Sequence, residues 1–310
     1  MALSSRAVTA LWLLLPIGLV RHAEPQEPPS VDDYKLSVSV DLVALQATVH
    51  DRAGGYVSGL REQDFEVYED GVRQSIRLFR HEDVAVTVGL VVDHSGSMRR
   101  KLAHVTAAAR TFVQSSNPED QMFVVNFNEH VTLGLPDTIQ FTDHPDELAR
   151  AIANAPAAGQ TALYDAIVKA HEQLHAGSRD RKALIVISDG GDNASAHTLA
   201  EVLKLSEQSS ALVYTIGIFD DSDEDRNPTV LRRLARDTGG EAFFPEQLDE
   251  VVAICERIAR DIRHQYTIGY VASSTAKPGA WRAIRVAARA AGKGKLSVRT
   301  RSGYIAGGAK

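Results

Sequence analysis

One cysteine in 310 residues, Cys255, leaves no intrachain disulfide framework and no cysteine-rich zinc site. A basic block is also missing. The chain has 34 Lys plus Arg against 40 Asp plus Glu, a net charge of −6, which argues against nucleic acid or an anionic membrane as the main partner. Internal repeats are not visible, and beyond the N-terminus no apolar run approaches a bilayer span, so collagen, coiled-coil and multi-span membrane architectures are excluded. What remains is ordinary for a soluble globular protein: 44% hydrophobic and 24% charged residues, with a length that suggests about two domains.

The one long apolar run is N-terminal. Arg6 precedes Ala7 to Val20, a stretch with the length of a signal-peptide core and short for a membrane span. Ala23 suits the last signal residue, although Arg21 two places earlier departs from the small-x-small pattern. Residues 1–23 are therefore read as a signal peptide, which places the protein in a secreted or periplasmic location. Membrane association follows only if the segment stays uncleaved as an anchor. Residues 24–33 contain EPQEPPS, a Pro-rich linker.

Residues 34–82 read as a small antiparallel β segment. Leu36, Val38, Val40 and Leu42 alternate on one face, and Leu45, Ala47 and Val49 continue after a one-residue slip that a bulge would explain. A hairpin follows, with a strand at Phe65 to Tyr68, a turn at Glu69-Asp70-Gly71, and a return strand from Val72 to Phe79. From Val84 the pattern changes. Apolar strands at Val84 to Val92, Met122 to Phe127, Ala183 to Ile187 and Leu212 to Phe219 alternate with helical periodicity, and a last helix runs from Leu248 to His264. Such alternation predicts an α/β fold with a doubly wound, mostly parallel sheet over residues 83–264. The β pattern returns in residues 265–306. These strands are too few for a third domain, so they are expected to complete a small antiparallel β-sandwich in which the α/β unit is inserted or which flanks it.

Two strand ends carry the chemistry. In an open α/β sheet ligands sit beyond the carboxyl ends of the strands. The first such strand ends in Asp93-His94-Ser95-Gly96-Ser97, and a later one in Ser188-Asp189-Gly190-Gly191-Asp192-Asn193. Between them Gly159-Gln160-Thr161 opens a helix. Asp93, Ser95, Ser97, Thr161 and Asp189 form an oxygen-only donor set suited to Mg²⁺, Mn²⁺ or Ca²⁺ rather than zinc or copper. The alternative for Ser97 and Thr161 is helix capping, which would not require the two Asp residues.

These residues, with the phrases VVDHSGSM, GQTALYDAI and VISDGGDN, resemble the von Willebrand factor type A domain and its metal-ion-dependent adhesion site. The resemblance covers Val84 to His264, and a looser likeness to secreted bacterial proteins of this type extends over both flanks. It implies a protein-binding or assembly module and no catalytic residue. By the same resemblance Ser95, Ser97 and often Thr161 touch the metal, while Asp93 and Asp189 act largely through water and hydrogen bonds. Neutral hydroxyls leave the cation under-neutralised, so an Asp or Glu of a partner protein would complete its shell.

Other residues carry blander readings. His94 reads as an exposed bystander, because no third residue orients it as a base for Ser95. Asp220 to Asp225 is either a solvated loop or a second cation site, and Asp192 and Asn193 either hold the metal ligands in place or form a turn. Cys255, Trp281 and Phe243-Phe244 read as core, and Lys293 and Lys295 as a turn. The competing class is an enzyme. A phosphatase of the haloacid dehalogenase type would need an Asp where Ser95 stands, and a serine hydrolase would need a base and an elbow that are not present. A structural protein with a vacant metal site is the third option.

Overall fold

The computed structural model describes residues 42–220, 225–273, 277 and 279–307. The expected signal peptide (1–23), the linker (24–33), the alternation at 36–40 and residues 221–224 of the acidic run lie outside these residues. The chain forms β1 (Leu42–His50), β2 (Phe65–Glu69), β3 (Val72–Gln74), β4 (Ile76–His81), β5 (Val86–Asp93), α1 (Leu102–Ser115), β6 (Gln121–Phe127), β7 (Val131–Leu133), α2 (Pro145–Ala153), α3 (Leu163–Ala176) and β8 (Arg181–Ser188). It continues through α4 (Leu199–Gln208), β9 (Leu212–Gly217), α5 (Pro228–Thr238), β10 (Ala242–Phe243), α6 (Glu250–Arg263), β11 (Tyr266–Val271), β12 (Trp281–Ala288), β13 (Ser297–Arg299) and β14 (Gly303–Ile305). The fold class is the α/β arrangement that the alternation predicts.

The central sheet has six strands in the order β10-β9-β8-β5-β6-β7, parallel except for β7. All eight residues of β5 are buried, which is why VTVGLVVD reads as a continuous apolar run. Helices α2, α1 and α6 pack together, and α3, α4 and α5 form a second group. From β5 the chain steps outward through β6 and β7, then crosses back to β8 on the other side of β5. The direction of winding therefore reverses between β5 and β8. At that point the two neighbouring connections leave a crevice at the carboxyl edge, where open α/β sheets bind ligands.

Two four-stranded antiparallel sheets, β13-β1-β11-β4 and β14-β12-β2-β3, each draw strands from both sides of the α/β unit. Their facing residues, among them Leu45, Val49, Phe65, Val67, Tyr266, Ile268 and Ile284, make a second core. Glu69 is fully buried there, where it accepts hydrogen bonds from Arg282, Tyr270 Oη at 2.6 Å and Tyr304 Oη at 3.0 Å. Burying a carboxylate is tolerable only with such complete pairing.

Several local expectations need correction. The return strand expected at Val72 to Phe79 is two strands. Beyond Ser75 the chain changes sheets, with β3 pairing β2 and β4 pairing β11. Leu42 is exposed, and β1 pairs β11 in unbroken register from Leu42 to Ala47, so the inward face holds Leu45 and Ala47 without a bulge between Leu42 and Leu45. Trp281 is 43% exposed rather than core, because it opens β12 at the rim of its sheet. Cys255 is fully buried on α6, and burial pushes its thiol up to about 12. Among the described residues no helix is long and apolar enough to cross a membrane.

Candidate metal centre

The three loops at the carboxyl edge are stitched to one another by backbone. Ala158 N donates to His94 O at 2.9 Å and Gly96 N to Gly159 O at 3.3 Å, tying the loop after β5 to the one before α3. Asn193 N and Ala194 N donate to Thr161 O at 3.0 and 3.1 Å, and Thr161 N donates to Asn193 Oδ1 at 2.9 Å, tying the α3 loop to the one after β8. Gly159 makes the second of these loops possible. Its φ is +87°, and a Cβ there would collide with the Glu129 carboxylate, which accepts from Gln160 N at 2.9 Å.

Side chains then converge. Asp93 is fully buried, and its two oxygens accept from Ser95 N and Ser188 Oγ, both at 2.7 Å. Ser97 Oγ donates to Asp189 Oδ2 at 2.7 Å and stands 3.1 Å from Ser95 Oγ. Asp189 Oδ1 accepts from Gly191 N at 3.0 Å. Burial, with the nearby Asp189 charge adding to it, lifts Asp93 to about 6, against the opposing pull of its Ser188 and Ser95 hydrogen bonds. Two carboxylates thus stand at one cluster of strand ends.

Helix capping does not account for Ser97 and Thr161. The N-cap of α3 is Ala162, with no side-chain cap. The first-turn N–H groups of Tyr164 and Asp165 go instead to Asp192 Oδ2 at 2.9 Å and Ser195 Oγ at 3.1 Å. Asp192 and Asn193 therefore hold the Thr161 loop in place. His94 is buried, not exposed. Its Nε2 lies 3.0 Å from Asn126 Oδ1, and because Asn126 Nδ2 already donates to Ala151 O, the His94 Nε2–H is the donor. Burial lowers the pKa of its imidazole.

Lys101, Ser188 and Glu129 escape a reading of the motifs. Lys101 is buried and donates from Nζ to Ile218 O at 3.0 Å, with Asp220 Oδ2 at 3.3 Å, so it anchors the start of the acidic run. Asp225, at the other end of that run, accepts from Asn193 Nδ2 at 3.1 Å. Ser188 and Glu129 complete the set. Ser188 stands inside the quoted strand end and carries a weak signal, whereas Lys101 and Glu129 carry none.

A family model for the von Willebrand factor type A domain matches residues 87–256, more than half of the chain. The chain belongs to the von Willebrand factor type A domain family. Among solved structures, a von Willebrand factor type A protein from Catenulispora acidiphila is similar at 15% identity over 78% of this chain and 73% of that one, with a TM-score of 0.51. Proximal thread matrix protein 1 from the mussel byssus is 19% identical, with a TM-score of 0.47, over 58% of this chain and 49% of its own, so the type A chain spans about half of that protein. The vWF domain of the type V pili tip protein Mfa5 from Porphyromonas gingivalis is 15% identical over 58% of this chain and 95% of its own, with a TM-score of 0.49. Likeness at these identities concerns the fold. No curated protein matches the chain.

Among the described residues no cluster of three or more His, Cys, Asp or Glu is poised as a metal site. The type A edge has two carboxylates and hydroxyls instead. Adjacent oxygens of an octahedral magnesium shell stand about 3.0 Å apart, given Mg–O bonds of about 2.1 Å. The 3.1 Å between Ser95 Oγ and Ser97 Oγ matches that edge, and the hydrogen bond from Ser97 Oγ to Asp189 Oδ2 at 2.7 Å ties a carboxylate to the same hydroxyl. The hard oxygen chemistry and the crowding of two carboxylates fit a cation of this class.

Proposed function

We propose that this protein is a metal-dependent adhesion or assembly module. Ser95, Ser97 and Thr161 would hold Mg²⁺, or Mn²⁺ or Ca²⁺ in its place. Asp93 and Asp189 would supply the negative charge largely through hydrogen bonds and water. The ion, bound mainly by neutral hydroxyls, keeps attraction for one more oxygen, and an Asp or Glu of a partner protein supplies it. The reading rests on one observation above the rest: the Ser95–Ser97–Asp189 cluster beside a buried Asp93, where the winding of the sheet reverses. The apolar N-terminal run with its preceding Arg6 supports an extracytoplasmic location, and the family supports a binding role.

The hydrolytic alternatives gain nothing from the geometry. Both oxygens of Asp93 are engaged and the residue is fully buried, so neither is open to attack a substrate. His94 gives its Nε2–H to Asn126, and its unprotonated Nδ1, the nitrogen that could act as a base, is buried.

Thermal unfolding with added Mg²⁺ or Mn²⁺ tests the proposal. The ion binds only the folded state, so wild type should gain about 3 kcal/mol at 100-fold excess over the dissociation constant, and Asp93→Ala should gain nothing. A melting temperature that does not move at millimolar ion refutes it.

A further inference from the structure

A second polar site lies away from the metal edge. Between the end of α5 and strands β12 and β13 is a cleft of about 620 Å³. Five arginines line it, Arg232, Arg236, Arg285, Arg299 and Arg301, with Glu241 as the single carboxylate among the described lining residues. Such a concentration is unexpected in a chain whose net charge is −6. Two of the five are already neutralised. Arg299 pairs with Glu241 and Asp261, and Arg236 with Asp237 at 3.0 Å.

The other three meet no carboxylate among the described residues and rest on aromatic rings instead. Arg232 lies 4.4 Å over Phe244, Arg285 lies 3.8 Å over Tyr68, and Arg301 lies 5.2 Å over Tyr304. Stacking uses the flat faces of a guanidinium. It leaves the in-plane N–H groups, which match the two oxygens of a carboxylate or phosphate. Arg299 Nε, Thr300 Oγ1 and Arg301 Nε, in three residues that border the cleft, are buried without a hydrogen-bond partner among the described residues, so this part of the lining carries donors in excess of acceptors.

The close approach that builds the cleft is specified by Gly239. It has φ +91°, and a Cβ on it would stand 2.5 Å from Arg301 N. The carboxyl end of α5 would repel an anion if its carbonyls were open. They are occupied: Asp237 O accepts from Ser302 N and Oγ, both at 3.3 Å, and Ala235 O from Gly240 N at 3.0 Å. We propose that this cleft binds a small organic anion, with its oxyanion held by Arg232, Arg285 and Arg301 and its apolar part against the half-buried Ala242, Phe244 and Val298. Its volume is that of a small-molecule site rather than a macromolecular surface. The other end of α5 reaches the metal edge, where Asn227 N donates to Asp189 O at 3.0 Å. Eleven residues of α5, about 16 Å, keep the two sites apart.

Calorimetry and thermal unfolding of the full chain with phenyl phosphate, with phthalate, and with inorganic pyrophosphate test this site. Arg232→Ala and Arg285→Ala are the variants, since both side chains are exposed and their removal leaves the cores intact. The expected result is saturable, salt-sensitive binding of phenyl phosphate or phthalate that weakens about tenfold or more in either variant. Magnesium affinity should be unchanged in both variants. Tighter binding of phenyl phosphate assigns a phosphate ester, and tighter binding of phthalate assigns a carboxylate. Pyrophosphate binding as tightly as either overturns the apolar half of the proposal. No binding of any of the three at ~10 mM, or equal binding in wild type and both variants, overturns the site itself.

Discussion

Consider Asp93→Asn, compared with wild type first in chelator and then in magnesium. Burial lifts the Asp93 pKa from 3.8 to about 6 in the folded state. Because the folded value lies above the unfolded one, the ionised carboxylate opposes folding. The penalty grows as pH rises from 3.8 to about 6 and is complete above that. The difference corresponds to about 3 kcal/mol at neutral pH. Asparagine has the same shape without the charge. It keeps an acceptor for Ser95 N and gives Ser188 Oγ a weaker partner, at a cost of about 1 kcal/mol. The variant should therefore be about 2 kcal/mol more stable than wild type in EDTA. Saturating magnesium should reverse the order, since it adds about 3 kcal/mol to wild type alone at 100-fold excess. Urea unfolding at about pH 7.5, followed by circular dichroism under both conditions, reads both numbers. The reasoning fails if the variant is the less stable protein in EDTA, or if magnesium stabilises both equally.

His171 supplies a pH dependence of the opposite sign. It is buried on α3 with Nε2 3.2 Å from Ser206 Oγ on α4, and burial pushes its imidazole down to about 4. The folded value lies below the unfolded 6.5, so stability should fall by about 3 kcal/mol as pH drops from 6.5 to 4. His171→Gln should remove that fall from the difference between the two urea-unfolding profiles, and parallel profiles would contradict it. The flanking strands give a second expectation. Deleting residues 266–310 removes β11 from between β1 and β4 and takes β12 from beside β2, so the truncated chain should aggregate in light scattering. Residues 82–264 should fold alone, and hydrogen-exchange protection of β1 and β2 in the truncated chain would contradict the pairing.

Legibility in the sequence followed the range of the interactions. Strands β5, β8 and β9 are covered on both faces, so their burial is written as local apolar runs, and the acidic and hydroxyl residues at their carboxyl ends stand out against them. Gly239 ends α5 in the left-handed conformation that glycine adopts freely, so the Gly239-Gly240 pair marks that helix end in the sequence. Helix α2 leaves a weaker mark in the sequence. It has only nine residues, so Leu148, Ala151 and Ile152 mark its buried face over little more than one turn. The sheet change beyond Ser75 has no Gly or Pro to mark it. His94 is buried because Asn126, on β6, receives its Nε2–H, a partner 32 residues away that no local pattern names. The same holds for Glu129 against the Gln160 N–H and for Lys101 against Ile218 O. Each depends on which loops the sheet brings together, and that is decided by non-local pairing.

The central claim is that the cation at the Asp93 edge, held by neutral hydroxyls, recruits an acidic group from a partner. Magnesium calorimetry followed by partner capture, on Thr161→Ala and Asp189→Ala, separates this from a purely structural ion. Thr161→Ala removes one neutral ligand that water can replace, so metal affinity should fall modestly, by about threefold to tenfold, while capture falls much further. Asp189→Ala removes charge, and metal affinity and capture should collapse together. If both variants lose metal equally while the captured partner stays at the wild-type level, the ion is a structural staple and the adhesion account is wrong.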